Sequence, residues 1–328
     1  MAGAAGSGTA GAGGGSGRNL PGFYVDGRFL YDRCGERVVL RGVNEMVVWS
    51  GGKDGVPEFE EIAKTKANAV RIVWTIADGS AAELDTAITN ALAQKLIPMI
   101  ELHDATGEFG MLGALVEHWT TPAMVAVIKK HEQNLLVNIG NEVGNNAVSN
   151  ATFESGYKDA ITRMRAAGIR TPLVIDGTSW GQNIDQLQAV GPALISHDPD
   201  HNLLLSVHVW WPDATTQKIT TELNESVSAN LPLIIGEFAD HAVAGCAQNP
   251  TDYKTLLALS QTHSIGWLAW SWGGVKNNDC SDDGPFNMTS DGTYAGLEGW
   301  GKEVATSDAN SIEKTSVRPA SITDGACR

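Results

Sequence analysis

Eight short apolar runs recur along this chain at intervals of roughly 30 to 40 residues, and that recurrence restricts the fold more than any other feature. They are Val38–Gly42, Ala69–Trp74, Ile97–Leu102, Leu135–Ile139, Leu173–Ile175, Leu203–Val209, Leu233–Ile235 and Gly266–Trp270. Most are separated by helix-compatible stretches. Pro57–Ile62 has acids where a helix dipole favours them, and Ser80 is placed to cap Ala81–Lys95. Alternation of this kind predicts repeated βα units, hence a parallel sheet with helices outside it. Eight such units predict an α/β fold, a single-domain (β/α)8 TIM barrel. An open doubly wound sheet is the rival, but no glycine-rich phosphate loop follows any run. Ahead of the first run, Phe23–Val25 and Phe29–Tyr31 flank Asp26-Gly27, a hairpin signal that predicts a small N-terminal cap on the barrel floor.

A barrel of this kind presents its chemistry at the C-terminal ends of its strands. Read in order, those tips hold Asn44 and Glu45, Arg71 and Trp74, His103-Asp104, and Asn141-Glu142. Next come Asp176 with Trp180 beyond it, His208-Val209-Trp210-Trp211, Glu237, and Trp270-Ser271-Trp272. A barrel with only structural demands has no reason to gather acids, imidazoles, an arginine and indoles at one end. Glu142 and Glu237 each end an apolar run, and they face each other only if both strands point the same way in one closed sheet.

Charge narrows the partners. The net charge is −15, so nucleic acid and anionic membrane are disfavoured as partners, while a neutral substrate is indifferent to the field. Ten tryptophans exceed both the seven phenylalanines and the five tyrosines, and flat indole surface with an edge donor suits stacking on sugar rings. No apolar run approaches the length of a bilayer span. Residues 1–19 are dominated by glycine, alanine and serine and are expected to form a flexible tether, leaving 20–328 as the catalytic domain. No charged and apolar signal-peptide pattern is visible. The four cysteines fit no zinc spacing. Their even number predicts two disulfides in an oxidising, extracellular setting, with free buried thiols as the alternative. In a closed barrel, neighbouring loops after strands seven and eight favour Cys246 with Cys280. The lead-in and the tail, meeting near the floor, favour Cys34 with Cys327.

Two carboxyl groups across a cleft suit acetal hydrolysis, one protonating the leaving oxygen and the other attacking the anomeric carbon or activating water. They need different surroundings so that one keeps its proton while the other stays charged. Arg71 can lower one pKa by its charge, and burial among indoles can raise the other. A catalytic metal is not expected, because His208-Val209-Trp210 lacks a second histidine at ligand spacing and neither His103-Asp104 nor Asp240-His241 forms a recognisable set. No G-x-S-x-G elbow supports a nucleophilic serine. No cofactor is implied.

The set Arg71, His103, Asn141-Glu142, His208, Glu237 and Trp270 resembles glycoside hydrolase family 5, of the retaining clan A, over about Val38 to Trp272. Longer strings resemble the bacterial β-1,4-mannanases of that family: Leu40-Arg41-Gly42-Val43-Asn44, Glu101 to Gly107, Asn138 to Glu142, Trp180-Gly181-Gln182, Ile235-Gly236-Glu237-Phe238 and Leu268 to Trp272. The resemblance implies a secreted, monomeric retaining endo-glycosidase of β-1,4-linked polysaccharide, with mannan or glucomannan first and β-glucan second. Glu142 is then the acid/base and Glu237 the nucleophile. Asn141 binds the sugar 2-hydroxyl, Arg71 keeps Glu237 ionised, His208 joins the same polar network, and Trp270 floors the sugar that becomes attached. His103, Asp104, Trp49, Trp74 and Trp180 either line subsites or pack; Trp210 and Trp272 are further expected substrate contacts. A retaining pair is expected about 5–5.5 Å apart, against about 6.5–9.5 Å for an inverting pair. Three departures stand out. Val143 replaces the family's proline after the acid/base, and Trp210 replaces the tyrosine whose hydroxyl touches the nucleophile. Glu45-Met46-Val47-Val48-Trp49 replaces a histidine-containing string of the mannanases. If turnover was lost with Trp210, the alternative is a carbohydrate-binding pseudoenzyme.

Overall fold

The structure, a computed structural model, describes residues 20–244, 247–273 and 286–327. Eight parallel strands close into a barrel: β4 (Arg41–Glu45), β5 (Ala69–Trp74), β6 (Ile97–Leu102), β7 (Leu136–Asn138), β8 (Leu173–Asp176), β9 (Leu203–His208), β10 (Leu233–Glu237) and β13 (Gly266–Ala269), with β13 pairing back onto β4. The first apolar run divides differently from expectation. Arg37–Val38 forms β3, which joins β1 (Tyr24–Asp26) and β2 (Phe29–Tyr31) in a three-stranded antiparallel sheet; the barrel strand starts at Arg41. A short hairpin unseen in the sequence, β11 (His241–Ala244) with β12 (Ala247–Pro250), follows β10.

Eight longer helices surround the barrel: α1 (Glu58–Lys64), α2 (Ala81–Ala93), α3 (Leu112–Trp119), α4 (Pro122–His131), α5 (Asn150–Ala166), α6 (Ile184–His197), α7 (Thr216–Ser228) and α8 (Tyr253–His263). Their starts follow capping chemistry. Ser80 and Glu83 form a reciprocal capping box on α2, and Thr121, Ser149, Asn183, Thr215 and Asp252 accept a backbone N–H at the starts of α4, α5, α6, α7 and α8. The α2 helix stops short of Lys95, whose φ of 62° is left-handed. No single helix among the described residues is long and apolar enough to cross a membrane.

Side-chain alternation along the strands separates floor from mouth. Ala69, Met99, Leu136, Val174, Leu204 and Leu268 join Phe23 and, from the N-terminal sheet, Val25 and Leu30 in one buried apolar cluster, which plugs the barrel bottom. Two residues further along β5, β6, β7 and β8 stand Arg71, Glu101, Asn138 and Asp176, all buried. Because successive side chains alternate faces, this step of two keeps the inner face and changes its chemistry from apolar to ionic. A second, larger cluster fills the space between strands and helices.

Cys34 and Cys327 form a disulfide, with Cα atoms 5.2 Å apart, and tie the lead-in to the tail as expected. The proposed partners Cys246 and Cys280 lie outside the described residues, as do the tether and the acidic stretch 277–283.

One buried acid outside the barrel mouth's network has a measurable consequence. Glu45 is buried, and its Oε2 has no hydrogen-bond partner among the described residues. Burial, then the charge of Glu58, push its carboxyl well above the usual range, against a backbone hydrogen bond at Met46. An acid whose folded pKa is raised adds stability that is complete below the unfolded value and is lost as pH rises through the folded value. Glu45→Gln is therefore expected to raise the melting temperature by about 2 °C or more at pH 8, and by less at pH 4, in thermal scans at the two pH values.

Candidate active site

Each of the two glutamates is carried by a different local device. Glu142 lies four residues beyond β7 and adopts φ 49°, a left-handed conformation unusual for a residue with a Cβ. Its backbone N–H donates to Asp176 Oδ2 at 3.1 Å, and its carbonyl accepts from Gly107 N at 2.9 Å. Glu237 ends β10 just after a register shift against β9 at Gly236. A Cβ at Gly236 would stand 2.4 Å from Ser206 Oγ and 2.7 Å from His208 Nε2, so only glycine lets the strand pass the imidazole there.

One oxygen of each glutamate and one nitrogen of His208 all lie within 4.8 Å of one another. The surroundings of the two acids differ. Glu237 Oε1 accepts from Arg71 Nη1 at 2.9 Å, and Oε2 accepts from the indole Nε1 of Trp210 at 3.0 Å. Glu142 Oε1 is 2.8 Å from His208 Nδ1, which also lies 3.3 Å from Glu237 Oε2. Burial first, and then the charge of Glu237, raise the Glu142 carboxyl above the usual range although His208 opposes them. Burial also works against a charged His208, yet Glu237, Asp176 and Glu142 outweigh it and lift the imidazole to about 10. The ring is thus a cation lodged between the carboxylates.

Arg71 is the hub. Besides Glu237 it donates to Asn138 Oδ1 at 2.8 and 3.1 Å, Asn141 Oδ1 at 2.8 Å and Asn44 Oδ1 at 3.0 Å. Glu101 at 3.7 Å and Asp176 at 3.5 Å balance its charge. Burial opposes the charged guanidinium, but the carboxylates around it raise its pKa further. The trio of Glu142, His208 and Glu237 also has the dimensions of a cation site. A cation placed there would meet Arg71 and a protonated His208, so this donor set fits an acid/nucleophile pair better than a metal.

The family model for cellulase (glycosyl hydrolase family 5) matches residues 31–276. The chain belongs to glycosyl hydrolase family 5. It is 30% identical over 316 residues to a mannan endo-1,4-β-mannosidase of Cellvibrio japonicus, covering 93% of this chain and 70% of that one. A mannan endo-1,4-β-mannosidase of Streptomyces lividans is 32% identical over 321 residues, covering 93% and 78%. Among solved structures, the β-mannanase of Streptomyces thermolilacinus with mannohexaose superposes at a TM-score of 0.83 with 29% identity, covering 93% of this chain and 99% of that one.

Around the central pair, this family 5 hydrolase places its aromatic residues unevenly. Trp270 stacks on His103 with ring centroids 5.8 Å apart, and His103 meets the edge of Trp49 at 5.8 Å. Trp49 and Trp180 are 45% and 43% exposed. They follow β4 and β8, and both meet the loop after β6, Trp49 at His103 and Trp180 at Gly107. The Trp180 indole lies against Gly107, where a Cβ would come within 2.6 Å of Nε1.

Two expected platforms are withdrawn. Trp74 and Trp272 have no exposed surface, and the Trp272 N–H donates to Gly292 O, so neither offers a face to a sugar. Asp104 is a loop brace, both of its oxygens accepting from the Ile76 N–H. Asn141 lies in the network, both N–H groups of its amide engaged, with Thr106 Oγ1 at 2.9 Å and His103 Nε2 at 3.3 Å. Val143, in the family's proline position, forms an isolated antiparallel bridge with Thr106.

No role was read from the sequence for Asn44, Glu101, Asn138 or Asp176. The signal available was the step of two from a floor residue to a polar one on the same strand.

The Trp210 departure keeps a donor on Glu237. Its ring is braced edge-on by Phe286 at 5.7 Å. A hydrogen bond to a charged group contributes about 1.5–3 kcal/mol, so Trp210→Phe should lower kcat by about tenfold to a hundredfold, and Trp210→Tyr should recover most of it. Steady-state kinetics on a soluble manno-oligosaccharide checks this; a Phe variant at the parent rate contradicts it.

Proposed function

We propose that this family 5 hydrolase cleaves the backbone of β-1,4-linked mannan or glucomannan internally, by double displacement. Glu142 serves as acid/base, and Glu237 as nucleophile held charged by Arg71. The observation that carries the reading is the spacing of the pair. One oxygen of each within 4.8 Å of the other is the close approach that suits a retaining pair rather than the wider gap that admits an inverting enzyme's water. The different surroundings supply the second requirement, a proton kept on Glu142 beside a hydrogen-bonded Glu237. Mannan is favoured over β-glucan because the curated relatives above act on mannan by name. A monomer working outside the cell is the accompanying reading, supported by the Cys34–Cys327 disulfide for its oxidising setting.

In reducing-sugar assays on mannan, glucomannan, carboxymethyl cellulose and lichenan, release is expected from the first two. Release confined to the last two would move the enzyme to the glucanases. Binding without release from any of them, unchanged in Glu237→Ala, would make it a carbohydrate-binding protein instead.

A further inference from the structure

We propose that Asp176, the last residue of β8, is a positioning residue for this reaction, fixing the backbone of Glu142 and the imidazole of His208 without touching substrate. The inference rests on the reading of Glu142 as proton donor. Asp176 is buried without exposure, and its carboxylate meets four parts of the site. Oδ2 accepts the Glu142 backbone N–H at 3.1 Å, and Oδ1 accepts from Asn138 Nδ2 at 3.2 Å. Oδ2 also faces His208 Nε2 at 3.4 Å and Arg71 Nη2 at 3.5 Å. One side chain therefore reaches the proton donor's backbone, the imidazole between the two glutamates, and the guanidinium that holds the nucleophile.

Each link has a physical consequence. The left-handed φ of Glu142 is disfavoured for any residue with a Cβ, and the bond from its N–H to a buried carboxylate offsets that cost locally. The His208 ring has no room to slide. A Cβ at Gly181 would stand 2.6 Å from its Cγ, and one at Gly236 would stand 2.7 Å from its Nε2. What remains adjustable is the charge on the ring. The charged groups facing it are Glu142, Asp176 and Glu237, with Arg71 behind the last two. Glu142 and Glu237 both approach Nδ1, so Asp176 alone among these carboxylates faces Nε2, at an ion-pair distance of 3.4 Å rather than in a hydrogen bond, and its charge favours a proton there. Burial opposes ionisation of Asp176 itself, but His208 and Arg71 hold it down at about 2, so it stays an anion across the working range. Without that anion the ring can rest as the neutral Nδ1–H tautomer, which still donates to Glu142 but no longer places a positive charge between the two glutamates.

Asp176→Asn tests this, because the amide oxygen still accepts the Glu142 N–H while the charge is gone. The expected result is a fall in kcat of about tenfold or more with KM changed less than about twofold. It should come with a drop of about one pH unit or more in the His208 titration midpoint, followed by 15N-edited NMR of the imidazole. An unchanged kcat overturns the proposal, and so does a lost kcat with an unmoved His208 titration, which would mark a merely structural residue. If the variant does not fold, the parent protein decides: both His208 nitrogens should be protonated at pH 7, and a neutral ring overturns the proposal. Should Glu142→Gln retain mannan hydrolysis, the proton-donor reading falls, whatever His208 does.

Discussion

Glu237→Gln is expected to lower mannan hydrolysis by about four orders of magnitude or more, the loss typical when a nucleophile that works within a concerted group is removed. An amide lacks the charge to attack the anomeric carbon, and among the described residues the other carboxylates paired with Arg71 are fully buried. Asp176 and Glu101 have no exposed surface and lie 3.5 and 3.7 Å from Arg71. The variant should nevertheless fold and bind oligosaccharide. Arg71 keeps its bonds to Asn44, Asn138 and Asn141, so the guanidinium is not left bare by losing one of its acids. Kinetics on soluble manno-oligosaccharide together with calorimetric binding separate these outcomes. A loss smaller than about tenfold would remove Glu237 from the nucleophile role.

Glu142→Gln is expected to cost about 10²–10⁴-fold on mannan, the range for losing a general acid. The loss should depend on the leaving group. An aryl mannoside with an acidic phenol needs no proton to depart, so its first step should run near the parent rate and a burst of phenol should precede a slow second step. The pH profile supplies a second check. Burial and Glu237 raise the Glu142 carboxyl above the ordinary range, so its acid form persists above the usual carboxylate pKa and activity falls as pH rises through the raised value. That alkaline limb should vanish from the first step in the variant. A limb of unchanged position would assign it to another group.

Much of this arrangement was legible in the sequence, for physical reasons. Apolar runs at regular spacing specify buried parallel strands, and a glutamate at the tip of one has few destinations other than the barrel mouth. What periodicity does not convey is which neighbour a tip residue meets. Trp74 and Trp272 read as strand-tip indoles like Trp270, yet both are packed away, because alternation and the twist of each loop decide the face. The first strand began three residues late because Arg37–Val38 pairs with the hairpin rather than with the barrel. Asp176 was visible as a tip without a role; its meaning depends on the left-handed turn at Glu142, which no residue pattern announces. Trp210 was legible as a departure, but whether its N–H would reach Glu237 depended on the edge-on support from Phe286, a residue 76 positions away, from 210 to 286.

The decisive experiment is mass spectrometry of the protein after incubation with a 2-deoxy-2-fluoro β-mannoside bearing a good leaving group, which slows breakdown of a covalent glycosyl-enzyme. One fluoromannosyl unit should be found on the peptide that contains Glu237, and on no other. An adduct on Glu142 or elsewhere, or turnover that inverts the anomeric centre with no adduct at all, would contradict double displacement by this pair.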